Sequence, residues 1–274
     1  MAAPSRRGGR EMVGQSDGRT VGQSMTMDAA ADLLQVANRV AVLTGAGISA
    51  ESGIPTFRDA LSGLWASYDP EELATPAAFR RNPQLVWDWY AERRAKVAEA
   101  RPNQGHFALV EIERRVSEFT LLTQNVDGLH REAGSRHVVE LHGNIRRVRC
   151  SDEGIVVERW VEGEERPPRC PRCSGFLRPD VVWFGEDLPE GALEAAGRSA
   201  EECDLFLSVG TSNLVVPAAS LPWQAHRHGA PVIVINTTVE GQHSGPGIHH
   251  LVGKAGEVLP ALVRAAWPTD RTAW

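Results

Sequence analysis

Small residues directly follow an apolar run near residue 40. The run 40–44 leads into the segment Gly45-Ala-Gly47-Ile-Ser49. Small residues at the turn from a strand into a helix let the backbone approach a pyrophosphate, whose negative charge the helix N-terminus favours. The acidic residue that dehydrogenases place about 20 positions later is absent. The segment therefore predicts a dinucleotide site unlike that of the usual dehydrogenases, and a tight turn without a ligand is the alternative.

An imidazole and an amide–carboxylate loop follow two further apolar runs. Gln124, Asn125 and Asp127 come after one run, and His142 comes after the next. If these runs are parallel strands, their carboxyl ends meet at one crevice. An imidazole whose pKa is near neutrality suits a general base, and amides or carboxylates beside it can bind an amide or a ribose. We predict a catalytic His142, and a structural histidine is the alternative.

A guanidinium lies within an apolar stripe at residues 87–94, WDWYAERR. At 100° per residue, the residues that share one helix face with Arg93 are Val86, Trp89, Tyr90 and Val97. A guanidinium next to a phenol can bind a carboxylate through two charge-assisted hydrogen bonds. The alternatives are an internal salt bridge, or an arginine whose stem packs while its head reaches water.

The strands that would position these residues are predicted from five apolar runs: 40–44, 120–123, 138–141, 205–209 and 232–235. Helical stretches separate most of them, for example 192–202 and 221–228. This alternation predicts an α/β fold with a mainly parallel sheet covered by helices. Charge, proline and cysteine replace the apolar runs between about 144 and 185, which predicts a small insertion module, and a helical excursion covers about 54–105.

Composition limits the partners and the compartment. The chain has 274 residues and a formal net charge of -6, which argues against nucleic acid as the main partner. No apolar run reaches the roughly 18 residues that cross a bilayer, so we expect no membrane partner. Four cysteines without a secretory signal predict a reducing, cytoplasmic location. Residues 1–27 carry almost no large apolar groups, which predicts a disordered tail.

Six motifs in order carry a resemblance to a known family. GAGISAESGIPTFR, TQNVDGLH, ELHGN, VWFGE, VGTS and VIN resemble the motifs of the sirtuins, which are NAD-dependent protein-lysine deacylases. The resemblance implies a catalytic domain of residues 28–274, with a Rossmann-type large domain (28–53, 106–143 and 187–267), a helical insertion (54–105) and a small zinc-ribbon-like module (144–186).

The resemblance also implies roles for individual residues. The residues expected to bind NAD are Gly45, Ala46, Gly47, Ser49, Phe57, Arg58, Gln124, Asn125, Asp127, Gly210, Thr211, Ser212, Asn236 and Ala255. Trp183, Phe184, Gly185 and Glu186 would form the edge on which an acyl-lysine protein or peptide pairs as a strand. His142 would act as general base on a ribose hydroxyl, with Asn125 and Asp127 beside it, and the products would be free lysine, nicotinamide and O-acyl-ADP-ribose.

The acyl pocket resembles that of one branch of the family. The spacing Tyr90-x-x-Arg93, together with Ala74, is similar to the branch that prefers malonyl- and succinyl-lysine. We expect a monomer that removes these groups and also acetyl. An ADP-ribosyltransferase and a non-catalytic sensor of NAD or ADP-ribose are the rival interpretations. The complete catalytic set, including His142, argues against both.

The metal module departs from the family pattern. Sirtuins usually present two Cys-x2-Cys pairs, whereas here Cys150 is followed by Glu153 where the second cysteine would stand, and Cys170 and Cys173 form the other pair. Carboxylates do bind zinc, although thiolate and imidazole ligands are commoner in structural sites. Two alternatives follow: zinc held by three cysteines with Glu153 or water, or a ribbon without metal.

Overall fold

The computed structural model describes residues 23–55, 69–160, 163 and 165–268. Phe57 and Arg58, both predicted to bind NAD, lie outside these residues. The described elements follow one another along the chain as β1 (Gln23–Ser24), α1 (Met27–Val36), β2 (Arg39–Thr44), α2 (Ala46–Ala50), α3 (Pro70–Leu73), α4 (Pro76–Arg81), α5 (Pro83–Glu99), α6 (Gln104–Arg115), β3 (Glu118–Thr123), α7 (Leu129–Ala133), β4 (Val138–Glu140), β5 (Gly143–Cys150), β6 (Val156–Val157), β7 (Leu177–Val181), α8 (Glu190–Glu202), β8 (Leu205–Val209), α9 (Leu221–Arg227), β9 (Val232–Asn236), β10 (Ile248–Val252) and α10 (Ala255–Ala266).

A seven-stranded parallel sheet forms the large domain, in the order β1-β10-β9-β8-β2-β3-β4. All five residues of β8 are buried, as expected for a central parallel strand with helices on both faces. Helices α1, α6 and α10 cover one face, and α8 and α9 cover the other. The predicted α/β class is therefore confirmed.

Helix α5 begins where its sequence predicts. The Asn82 side chain accepts a hydrogen bond from the backbone N–H of Leu85, and Pro83 occupies the first turn. Trp89 and Tyr90 face the same cluster as Val181 of β7. The predicted stripe omitted Trp87, which is fully buried on another face of the helix.

The ribbon-like module is a three-stranded antiparallel sheet in the order β6-β5-β7. It packs against α5, because Trp87 shares a buried cluster with Val148, Cys150 and Leu177. Trp160 of the module stands edge-on to Trp87, with ring centroids 5.5 Å apart. The helix that carries Tyr90 and Arg93 is thus held between the ribbon and the cleft described below.

Each of the five predicted strands is present, with boundaries shifted by at most two residues. The main difference lies at the N-terminal end, because composition predicts that residues 23–27 belong to a disordered tail. Residues 23–24 pair with His249 and His250 at the sheet edge, and Met27 begins α1. These pairings are long-range, which is why local composition missed them. Within the described residues, no helix is both long enough and apolar enough to span a membrane.

Candidate active site

A single cleft of about 1530 Å³ collects the predicted site residues at the carboxyl ends of the parallel strands. On the side predicted to bind NAD, it is lined by Gly45, Ala46, Gly47, Ser49, Gln124, Asn125, Asp127, Gly210, Thr211, Ser212, Asn236 and Ala255. On the other side it is lined by Ala74, Tyr90, Arg93, His142, Trp183, Phe184, Gly185 and Glu186. The cleft brings these residues together, and the role of each stays a prediction.

Two strand-end loops touch through their backbones on the nucleotide side. The N–H of Gly47 donates to the carbonyl of Gly210 over 2.9 Å. A Cβ at Gly210 would lie 2.6 Å from the backbone nitrogen of Ile48, and its φ of +60° is in the left-handed region. A Cβ at Gly45 would lie 2.8 Å from the Gly210 carbonyl oxygen. Side chains are therefore excluded here, and only glycine fits Gly210 without strain.

Asn125, Asp127 and Ser49 form one buried hydrogen-bonded group. The Ser49 hydroxyl donates to the Asp127 carboxylate over 2.8 Å, and the Asn125 amide lies 3.2 Å from the same hydroxyl. Burial raises the pKa of the Asp127 carboxyl, while hydrogen bonds from Leu129 and Ser49 oppose that rise. The group joins the Gly45 loop to the loop after β3, because the Asn125 amide also donates to the Gly45 carbonyl.

His142 is oriented by a main-chain carbonyl. Its Nδ1 lies 3.0 Å from the Gln124 carbonyl oxygen, which can only accept, so Nδ1 carries the proton and Nε2 is left as a base. Burial lowers the pKa of His142 from its ordinary value, and the bond to Gln124 counteracts part of that shift. The lowered pKa favours the neutral imidazole, with Nε2 free to accept a proton, as a general base requires.

The loops that follow β8 and β9 form the far end of the nucleotide side. The Asn236 amide donates to the Thr211 carbonyl over 2.8 Å, and Gln242 reaches the same carbonyl at 3.3 Å. The loops after these two strands are thereby tied together. Gln242 was not predicted, since its segment has no apolar run or recognised motif.

Tyr90 and Arg93 lie together on α5 and line the cleft with Ala74. Burial raises the pKa of the Tyr90 phenol, which therefore keeps its proton. Burial lowers the pKa of the Arg93 guanidinium, but an arginine stays charged in proteins. Arg93 also lies over the Trp89 ring, 4.8 Å from its centroid. The two side chains offer a positive charge and a hydroxyl donor at this end of the cleft.

Arg178 contacts the edge formed by residues 183–186 and holds it in place. The Arg178 guanidinium donates to both carboxylate oxygens of Glu186, over 2.5 and 2.9 Å. It also lies 3.3 Å from the centre of the Trp183 ring. Burial alone would raise the pKa of Glu186, but hydrogen bonds from Arg178 and the Trp183 N–H hold it below its ordinary value. Arg178 was missed in the sequence, because a buried arginine in a strand carries no local signal.

The three cysteines and the carboxylate of the ribbon converge. One ligand atom from each of Cys150, Glu153, Cys170 and Cys173 lies within 4.8 Å of the other three. The Sγ atoms of Cys150 and Cys173 are 3.3 Å apart, close to the separation of thiolates around tetrahedral zinc, roughly 3–4 Å. The donor set fits a zinc ion. Glu153 also pairs with Arg172 at 3.4 Å, so its carboxylate is shared with a competing cation.

Comparison with known proteins agrees with this geometry. Residues 45–217 match the profile of the Sir2 family. The NAD-dependent protein deacylase 1 of Pseudomonas aeruginosa is 53% identical over 251 residues, which are 88% of this chain and 100% of the relative.

Two solved structures are also similar. A Sir2 homologue in complex with NAD has a TM-score of 0.81 and 44% identity, over 89% of this chain and 95% of the other. Sir2Af2 bound to a myristoylated histone peptide has a TM-score of 0.67 and 34% identity, over 88% and 95%.

Proposed function

Because the chain belongs to the Sir2 family, we propose that it removes acyl groups from protein lysine in an NAD-dependent reaction, releasing nicotinamide and O-acyl-ADP-ribose. The observation that carries the proposal is the single cleft. It joins the glycine loops and the Ser49–Asp127 group to His142, and it continues to Tyr90 and Arg93. A sensor of NAD would not need the second half of this cleft.

The nucleotide side binds and orients NAD. Gly45 and Gly47 let their loop lie directly against the Gly210 loop, so that main-chain groups face the phosphates, and the loops of Gly210 and Asn236 enclose the adenosine half. Asn125 and Asp127 hold the nicotinamide and its ribose with Ser49. Bound NAD supplies an electrophilic ribose carbon with nicotinamide as the leaving group.

His142 moves the proton of the reaction. Its Nε2 would accept the proton of a ribose hydroxyl after the acyl oxygen has displaced nicotinamide from the ribose carbon. That hydroxyl oxygen would then attack the acyl carbon, and water would complete the release of free lysine and O-acyl-ADP-ribose. The bond from Nδ1 to the Gln124 carbonyl keeps the ring in the required tautomer throughout. The acylated lysine enters between His142 and α5, with its peptide pairing on the Trp183–Glu186 edge through main-chain hydrogen bonds.

The acyl preference is for succinyl and malonyl, with acetyl also accepted. Arg93 and Tyr90 both line the cleft, and a guanidinium can bind a carboxylate through two parallel N–H donors while a phenol beside it adds a hydroxyl. Ala74 is buried at the cleft wall and takes little space from the acyl chain. The interaction is strengthened because Tyr90 is buried and Arg93 is partly buried.

The ribbon binds zinc through Cys150, Cys170 and Cys173, with Glu153 as the fourth ligand. Its affinity for zinc is lower than that of a four-cysteine ribbon, since Glu153 is shared with Arg172. The metal has a structural role, because no residue of this group is among the described residues that line the cleft. We further propose a cytoplasmic monomer whose partners are acylated-lysine proteins and neither nucleic acid nor membrane.

The test is a panel of otherwise identical peptides bearing unmodified, acetyl-, malonyl- or succinyl-lysine, each incubated with NAD and read by mass spectrometry. Deacylation predicts nicotinamide and O-acyl-ADP-ribose in equal amounts, and only with the acylated peptides. ADP-ribose attached to peptide or protein would instead identify an ADP-ribosyltransferase. NAD binding without any turnover on the whole panel would identify a sensor.

A further inference from the structure

Trp183 and Tyr90 make a hydrogen bond that is buried at the acyl end of the cleft. The indole Nε1–H of Trp183 donates to the hydroxyl oxygen of Tyr90 over 3.0 Å. Both residues are almost fully buried, with 2% and 3% of their surfaces exposed, and both line the cleft. An indole nitrogen can only donate, so the phenol must accept on this side.

This bond fixes where the Tyr90 proton points. A phenolic oxygen that accepts from Trp183 has to direct its own hydrogen elsewhere, because the two hydrogens cannot lie between the same two atoms. The proton stays on the phenol, since burial raises the pKa of Tyr90. Arg93 lies three residues further on the same helix, and both side chains line the same cleft.

We propose that Trp183 is a positioning residue for acyl selection, which turns the hydroxyl hydrogen of Tyr90 toward the substrate carboxylate held by Arg93. The inference rests on the proposed succinyl and malonyl preference and names a residue that sets it. Trp183 thereby has two separate tasks. Its backbone binds the side chain and the N–H of Glu186 and thereby shapes the proposed peptide-pairing edge, and its indole nitrogen acts on the acyl group through Tyr90.

The indole is itself held in place from the ribbon. Arg178 lies against the Trp183 ring and binds the Glu186 carboxylate, which in turn accepts the Trp183 backbone N–H over 2.9 Å. Arg178 is 7% exposed, so the ring is fixed by a buried guanidinium that is paired with the partly buried carboxylate of Glu186. A fixed indole gives the Tyr90 hydroxyl one orientation before substrate arrives, which is preorganisation of the acyl pocket.

The experiment is a double-mutant cycle with Trp183→Phe and Tyr90→Phe, in which kcat and KM are measured for matched succinyl and acetyl peptides. Trp183→Phe keeps an aromatic ring and removes the N–H. We expect it to lower the succinyl-to-acetyl ratio of kcat/KM by roughly 3- to 10-fold, mainly through the KM of the succinyl peptide. In the Tyr90→Phe background the same change should leave the ratio where Tyr90→Phe alone put it.

Trp87→Phe is the matched control, because it makes the same reduction in size at a buried tryptophan of the helix that carries Tyr90. The Trp87 nitrogen is buried without a hydrogen bond to any described residue. This control should keep the wild-type ratio. An equal fall in the ratio for Trp87→Phe, or for Trp183→Phe in both backgrounds, would make Trp183 a packing residue and overturn the inference.

A measurement on the wild-type chain keeps the test independent of how the variants fold. Donation by Tyr90 to a carboxylate makes its oxygen a better acceptor, since hydrogen bonds in a chain polarise one another. The indole proton signal of Trp183 in an NMR spectrum should therefore shift more with a succinyl peptide than with an acetyl peptide. Equal shifts overturn the inference. A wild-type succinyl-to-acetyl ratio of kcat/KM near one would overturn both the proposed acyl preference and the inference about Trp183. A clear wild-type preference that Trp183→Phe does not change would overturn the inference alone.

Discussion

The two ends of the cleft are built from different materials. At the nucleotide end, two loops contact each other through their backbones at Gly45, Gly47 and Gly210. The contact depends on the absence of side chains at these positions. At the acyl end, long side chains from α5 and from the ribbon reach toward each other, and Tyr90, Trp183 and Arg178 are linked by hydrogen bonds and stacking.

The difference determines how each end tolerates change. A site formed by close backbone approach cannot accept one added carbon without moving a strand, since interiors are close-packed. In a site formed by side chains, one hydrogen-bond donor can be substituted without moving the sheet beneath the site, so its selectivity can change while the fold is kept. We therefore expect a single substitution at the nucleotide end to abolish NAD binding altogether. Single substitutions at the acyl end should instead change the preference among acyl groups by limited amounts.

The largest effect is expected from Gly210→Ala. The added methyl would lie 2.6 Å from the Ile48 nitrogen, on a residue whose φ is +60°. Left-handed backbone costs a non-glycine residue about 1–2 kcal/mol, and overpacking adds about 1–3 kcal/mol. The free energy of unfolding should fall by roughly 2–5 kcal/mol in denaturant titrations, and NAD binding should be lost.

Gly229→Ala separates the cost of the left-handed backbone from the cost of the steric contact. Gly229 has a φ of +96°, and no described atom beyond its chain neighbours lies within 4 Å of the place that an added Cβ would take. Only the backbone cost of about 1–2 kcal/mol should appear, and NAD binding should persist. Equal losses in the two variants would mean that the contact with Ile48 contributes nothing, and the contrast between the ends would lose its basis.

His142→Ala should lower deacylation by at least about 100-fold while NAD affinity changes by no more than a few fold, because a general base is removed and the binding loops are kept. Single-turnover rates and calorimetry give the two quantities. The lowered pKa of His142 also sets the pH profile. The base must be neutral, so activity falls with decreasing pH only as the pH drops through a pKa below the ordinary 6.5. Near-normal turnover in the variant would remove His142 from the mechanism.

At the acyl end, Arg93→Met should reduce kcat/KM for succinyl and malonyl peptides by roughly 10- to 150-fold, the scale of a lost charged hydrogen bond. Acetyl removal should fall much less, since acetyl presents no carboxylate. Lys96→Met removes a charge from the same helix and the same cleft, and its ion pair with Glu92 is largely exposed. It should spare the succinyl preference. A uniform loss on all acyl groups after Arg93→Met would identify Arg93 as a structural ion-pair residue.

The smallest effect on the cleft is expected at the metal site of the ribbon, whose four proposed ligands do not line the cleft. Glu153→Cys should tighten zinc binding by roughly 10- to 100-fold, because a thiolate replaces a carboxylate that is shared with Arg172. Competition with a chromophoric chelator measures the affinity. Asp152→Cys adds a thiol at an exposed neighbour outside the four-residue group and should change the affinity little. If wild-type protein purified without chelators carries no zinc, Glu153 is not a ligand.

The same difference explains what the sequence could predict. The nucleotide end is encoded in consecutive residues, so short motifs were enough to place Gly45, Asn125 and His142 beside one cleft. The five predicted strands were equally recognisable in the sequence, since each contains a continuous apolar run. In contrast, β1 and β10 were not predicted, because a two-residue strand and the histidine-containing 248–252 carry no such pattern.

Only some of the residues at the acyl end could be predicted from the sequence. The spacing of Tyr90 and Arg93 was visible on one helix, but the hydrogen-bond partner of Tyr90 follows a strand about 90 residues later, and no local pattern links them. Nothing in the sequence singled out Arg178, and only the fold shows that it is buried against Trp183. Trp87 was left out of the predicted stripe for a related reason, because a helix covered on two sides has no single apolar stripe.

The edge-on contact of Trp160 with Trp87 of α5 has a consequence for protein engineering. Arg94 lies between the rings of Trp87 and Trp160, at 4.8 and 5.5 Å, and Arg166 of the ribbon reaches Asp88 at 3.4 Å. The helical insertion and the ribbon are far apart in the chain, yet they form one block in space. A chimera that takes only the helix from a relative would bring a foreign surface to Trp160. Grafting a new acyl preference onto this scaffold therefore requires both segments to be transplanted together.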